Sequence, residues 1–215
     1  MMRTYSIKIF RIIIYISMLT NIGVFASGTV EHESANRQTF VIMRHADKQK
    51  GVDPNLTEKG RLQAKKSAAA LETLRKEQGK EKIRIVVSNL KRSQETGKIM
   101  AQELGIPESD ILIDPRICEH DQGPVPKNSK ESKKEMYERM HAGIRETLNE
   151  HGSPEILTVF VSHGTVMQNY FTLLSSHKRN SIPFYFQQHH VNACEMYLVH
   201  REDGNFIAEK NIRAR

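Results

Sequence analysis

Two arginines and two histidines of this 215-residue chain stand where apolar runs end. FVIM runs into Arg44-His45, KIRIVV runs through Ser88 to Arg92, and ILTVFV runs into Ser162-His163-Gly164. Short apolar, β-branched runs read as buried strands, and α/β sheets place their chemistry at the carboxyl ends of such strands. In a parallel sheet the three ends lie along one edge, where four cationic or potentially cationic side chains repel one another unless an anion joins them. Arginine forks match phosphate oxygens two at a time, and an imidazole nitrogen can serve as a nucleophile. The pattern asks for a phosphoryl group.

The elements around these runs supply a frame. TFVIM (39–43), KIRIVVS (82–88), Ile111–Ile113 and ILTVFVS (156–162) read as four strands. Between the first two, Thr57 reads as a helix cap with Glu58 in the first turn. Ala64, Ala68, Leu71 and Arg75 then recur at helical spacing, and Gly79 marks the stop. Helices are also expected over 92–104, over 165–176 and within a charged insert at 119–154. The tail reads as two strands, ACEMYLVH and FIAEK, around Asp203-Gly204. Alternating strands and helices predict an α/β fold, a largely parallel central sheet with helices on both faces.

Four segments resemble the histidine phosphatase superfamily, the phosphoglycerate-mutase-like proteins, over residues 39 to 200. They are Arg44-His45-Ala46, Leu56-Thr57-Glu58-Lys59-Gly60-Arg61-Leu62-Gln63-Ala64, Ser88 through Arg92 to Thr96, and Ser162-His163-Gly164. Ala46 departs from the family's glycine by one methyl group. The resemblance implies that the last strands run antiparallel and that His45 is the nucleophile, forming a phosphohistidine. It also implies that Arg44, Arg92 and His163 hold the phosphate, and that a carboxylic acid near the same edge protonates the leaving group. Glu119 follows the third strand where the family's acid falls; Asp121 competes with it, and Asp47 is a more distant candidate. The implied activity is metal-independent hydrolysis of phosphate monoesters with no cofactor. The insert is short for the mutase members, which use longer ones to enclose a phosphorylated intermediate. Two other readings stand beside it: a phosphoryl-anion-binding envelope protein without catalysis, and a hydrolase of phosphohistidine or of lipopolysaccharide phosphate.

Other polar residues have plainer readings. Adjacent His189 and His190 would point to opposite faces of a strand, which does not make a metal site. Lys127, Lys130, Lys133 and Lys134 read as a solvated face, or as a rim that attracts anionic substrates. Ser88 is expected to order the loop carrying Arg92. No Gly-x-Ser-x-Gly elbow surrounds Ser162, so it is not a serine nucleophile.

Residues 1–26 read as a signal peptide: a positive start, the apolar run IIIYISMLTNIGVFA, and small Val24 and Ala26 before a cut. Residues 27–38 would be a flexible lead-in and 39–215 the phosphatase domain, exported to the periplasm or secreted. Removing 1–26, which holds three basic residues and no acid, leaves 29 basic against 25 acidic side chains. That balance suits a small anionic substrate and does not argue for nucleic acid. The domain itself is not expected to span a membrane. Export permits a disulfide between the two cysteines, Cys118 and Cys194. If the strand after Cys194 is antiparallel, as the resemblance implies, both lie near one edge; a bridge and two separate buried thiols both remain open.

Overall fold

The computed structural model describes residues 37–120, 130–183 and 190–212. Strand β1 (Gln38–Arg44) leads to helix α1 (Glu58–Glu77), then β2 (Lys82–Val87), α2 (Lys91–Glu103) and the short β3 (Leu112–Ile113). Helix α3 (Lys133–His151) follows, then β4 (Ile156–Ser162), α4 (Gly164–Leu174), β5 (Met196–Glu202) and β6 (Asn205–Ile212). The six strands form one sheet in the order β3-β2-β4-β1-β5-β6. β1, β2, β3 and β4 pair in parallel, while β5 runs antiparallel to β1 and to β6. The expected α/β architecture, antiparallel tail included, is the observed one.

Strand alternation divides the core in two. Phe40 and Ile42 of β1, Val86 of β2 and Phe160 of β4 face a cluster completed by Met136, Met140 and Ile144 of α3 and Tyr170 and Phe171 of α4. Val41, Met43, Ile85, Val87, Val159 and Val161 face the other way, toward Ala64, Ala68 and Leu71 of α1 and Met100 of α2. Burial on both faces is why β1 and β4 read as unbroken apolar runs rather than as alternations.

Helix ends fall where capping chemistry places them. Thr57 Oγ1 accepts from Gly60 N at the start of α1, and Ser132 and Glu135 form a reciprocal capping box at the start of α3. Gly79, just beyond α1, has φ +60°, a conformation that costs glycine little. Asp203 and Gly204 (φ +48° and +79°) make the tight turn between β5 and β6.

Several boundaries differ from the sequence reading, two of them at strand starts. β1 begins one residue early, because Gln38 pairs with Arg201 of β5 and its side chain donates to Leu148 O. β5 begins at Met196 rather than Ala193, because Cys194 takes φ +58° in a turn closed by Glu195 N donating to Asn192 O. His190 is exposed and lies outside any strand; His189 lies outside the described residues, as do 1–36, Lys127 and Asp121. Lys130, Lys133 and Lys134 are exposed, as a solvated face requires. Among the described residues, no helix is long and apolar enough to cross a membrane.

The cysteines are two separate buried thiols. Cys118 lies on the α3 side, where its carbonyl accepts from Arg139, whereas Cys194 packs in the core beneath α1 and α2. Ser162 Oγ donates to Ile117 O, so the Cys118 segment sits over the end of β4. From β4 to β5 is two interstrand steps, roughly 10 Å in all, beyond the 4.4–6.8 Å Cα separation of a typical bridge. Burial pushes each thiol up to about 11, far from a reactive thiolate.

Candidate active site

Strand order makes the site. β4 lies between β2 and β1, so the ends carrying Ser88, Ser162-His163 and Arg44-His45 are immediate neighbours. They are stitched together: His45 N donates to Ser162 O at 2.9 Å, Ser88 N to Val161 O at 3.3 Å, and Arg44 N to Glu195 O at 3.1 Å.

His45 is 2% exposed, and its Nδ1 lies 2.7 Å from its neighbour's carbonyl, Ala46 O. A carbonyl can only accept, so Nδ1 carries the proton and Nε2 presents a lone pair. Arg92 Nε donates to that Nε2 at 3.3 Å. Burial pushes His45 down to about 3; the Ala46 hydrogen bond pulls the other way, and Arg44, Arg92 and Lys48 add to the depression. The imidazole is therefore neutral at ordinary pH, as a nitrogen nucleophile must be.

His163 is fully buried, with its ring centroid 5.1 Å from that of His45. Its Nε2 lies 2.8 Å from Ser88 Oγ, which itself accepts from Leu90 N. The Ser88 hydroxyl can then donate to Nε2, leaving Nδ1 as a donor. Burial, and then the charges of His45, Arg92, Arg44 and Arg139, hold His163 well below its usual range. Arg44 Nη1 donates to Val191 O at 2.6 Å. Among the described residues, Arg44 Nε and His163 Nδ1 are buried with no hydrogen-bond partner. Leaving such atoms unpaired costs about 1–3 kcal/mol each, which an entering oxyanion would offset.

The motifs have mechanical explanations. Thr57 N donates to Asp47 O, Asp47 N donates to Gln63 Oε1, and Leu56 and Ala64 are buried in the core. At Gly60 a Cβ would sit 2.0 Å from Asp47 O, so only glycine admits this approach. The Leu56–Ala64 segment is thus a clip that holds the loop after His45. Thr96 Oγ1 accepts from Ala46 N, and Ser93 Oγ donates to Val161 O, tying α2 to both strand ends. A Cβ at Gly164 would stand 3.3 Å from Arg44 Nε and Cδ. Ser162 is spent on Ile117 O, as its rejection as a nucleophile implies.

The three carboxylate candidates fare differently. Asp47 Oδ2 lies 3.4 Å from Thr57 Oγ1 at the α1 cap, and Asp121 is outside the described residues. Glu119 is half-buried just beyond the turn Pro115–Ile117, with Oε1 accepting from His120 N. Two partners of this site had no motif to flag them. Asp53 Oδ1 accepts from Lys91 N at 3.0 Å and lies 3.5 Å from Arg92 Nη1. Arg139 grips buried Glu131 through both oxygens (2.6 and 2.9 Å) and donates to Arg116 O and Cys118 O. That fork fastens the segment carrying Glu119 to α3. Among the described residues, no group of three or more His, Cys, Asp or Glu could hold a metal ion.

Such a cage, a neutral imidazole among arginines at adjacent strand ends, defines a phosphoryl-transfer protein of the histidine type. The chain belongs to the histidine phosphatase superfamily (branch 1), whose family pattern matches residues 40–128 and 118–213. No curated protein matches it in sequence. Solved structures share the fold. The mycobacterial glucosyl-3-phosphoglycerate phosphatase in complex with inorganic phosphate is similar at TM-score 0.62 and 17% identity, over 82% of this chain and 98% of that one. The protein histidine phosphatase SixA complexed with tungstate aligns at TM-score 0.57 and 16% identity, over 82% and 97%. A phosphoserine phosphatase from Entamoeba histolytica aligns at 0.55 and 15%, over 80% and 95%.

Proposed function

We propose that this protein hydrolyses phosphate monoesters through a phosphohistidine on His45, with Arg44, Arg92 and His163 binding the phosphoryl oxygens. The observation that carries the reading is the His45 ring itself: Nδ1 committed to Ala46 O, Nε2 unprotonated and touching Arg92. In the first step Nε2 bonds to phosphorus as the ester P–O bond breaks, and Glu119 gives its proton to the departing oxygen. In the second step the Glu119 carboxylate takes a proton from water, the water oxygen bonds to phosphorus, and the P–N bond breaks to release phosphate. The arginines neutralise charge on the transferring group, so the chemistry calls for no metal.

With p-nitrophenyl phosphate, wild type should accumulate acid-labile phosphate in a quenched reaction, and His45→Ala should show neither the adduct nor turnover. A His45→Ala enzyme with near-normal turnover would sink the mechanism; phosphate binding without turnover by wild type would favour a non-catalytic anion binder. Glu119→Gln should slow alkyl phosphates by roughly 10²–10⁴-fold and spare aryl phosphates, which need less protonation. Equal losses on both would move the acid elsewhere. Export with cleavage after Ala26 is part of the same reading, and amino-terminal sequencing of protein from the producing cell tests it: a start at Met1 would refute it.

A further inference from the structure

The phosphate cage contains a carboxylate that the proposed reaction does not use. Asp53 sits on the loop between β1 and α1, which is pinned at both ends. Lys48 bridges Leu56, Gln49 N donates to Asn55 O, and Leu56 N donates to Glu95 of α2 at 2.7 Å. So held, Asp53 Oδ1 meets two donors at the start of α2: the Lys91 amide and the Arg92 guanidinium. Arg92 is 3% exposed, and its Nε is the group that touches His45 Nε2. One guanidinium therefore bridges the carboxylate and the nucleophile.

We propose that Asp53 is a counter-charge built into the anion site, which orients Arg92 and weakens the site's hold on phosphate so that the product can leave. This rests on the reading of Arg92 as a phosphate ligand. Arg44, Arg92 and Lys48 all bear on His45 with positive charge. A cage of that sign with nothing opposing it would retain inorganic phosphate after each turnover. Asp53 repels the same oxyanion that Arg92 attracts, through the same side chain. It also disfavours substrates with a second anionic group on that side of the phosphate, and so selects monoesters whose neighbouring groups are neutral or cationic. A helix cap alone would account for the Lys91 contact, but not for the contact with Arg92.

Asparagine separates the two roles, because its side-chain oxygen can still accept from Lys91 N but carries no charge. Calorimetric titration of orthophosphate into wild type and Asp53→Asn should show the variant binding about tenfold tighter, equivalent to about 1.4 kcal/mol. The difference should narrow as salt is raised. Phosphate should also become the stronger product inhibitor of p-nitrophenyl phosphate hydrolysis, with kcat and KM both reduced. Asp53→Ala should match the tighter binding and lose thermal stability as well. Affinity within twofold of wild type, or weaker, in Asp53→Asn would overturn the proposal and leave Asp53 as a cap. Should wild type bind no orthophosphate, the counter-charge and the role of Arg92 fall together. If phosphate binds and Asp53→Asn tightens it while His45→Ala still turns over, only the hydrolytic mechanism falls.

Discussion

Gly60→Ala tests how His45, the proposed nucleophile, is held. The new Cβ would lie 2.0 Å from Asp47 O, 3.0 Å from Asp47 C and 3.2 Å from Asp47 N. Ordinary carbon–oxygen contact begins near 3.4 Å, so α1 and the Asp47 backbone must separate by more than ~1 Å in an interior packed at crystal-like density. Overpacking of this kind costs about 1–3 kcal/mol. Alanine's helix propensity returns as much as about 1 kcal/mol, so the net loss of stability should be modest, about 0–2 kcal/mol. Activity should fall much further. The displaced atoms lie two residues from His45, and a 1 Å misplacement can cost about 10²-fold in rate. Urea unfolding and p-nitrophenyl phosphate turnover measure the two effects separately. Gly79→Ala is the control: a Cβ there meets nothing within 4 Å, and the cost is backbone strain at φ +60°. It should lose about 1 kcal/mol and keep full kcat. Gly60→Ala with wild-type kcat would refute the clip.

Acid should destabilise the fold. Folded His45 takes up a proton only near 3, the unfolded chain near 6.5, so between these values the unfolded state holds more protons. Its contribution is complete above 6.5 and is lost as pH falls toward 3, as much as about 5 kcal/mol, with His163 acting in the same direction. Urea midpoints measured across that window should drop steeply in wild type and less in His45→Asn; parallel curves would contradict the assignment. Arg139→Met removes the fork from buried Glu131 and should destabilise by about 3–5 kcal/mol while slowing turnover. Arg139→Lys, which keeps charge without the fork, should fall between, and unchanged unfolding in both would dismiss the clamp.

Sequence alone was enough for the elements and for the arginines and histidines at their ends, because each rests on local physics. Buried strands must be apolar on both faces, Thr57 caps the helix that starts beside it, and an arginine and a histidine at a strand end stay there whatever the sheet does. The parallel arrangement followed from alternation, and the four motifs carried the family. What the chain could not disclose was lateral order. Only pairing showed that β4 inserts between β2 and β1, and that order brings Arg44, His45, Ser88 and His163 together. The same order, with the cysteines on opposite sides of the sheet, keeps Cys118 from Cys194. Asp53 and Arg139 were illegible for a related reason: their partners, Arg92, Glu131 and the Cys118 carbonyl, are chosen by tertiary approach rather than by spacing. A charged residue in a loop or an amphipathic helix looks like solvated surface until the fold sets its counter-charge beside it. The roles of Gly60 and Gly164 likewise became visible only when the backbone of Asp47 and the side chain of Arg44 were found pressed against them.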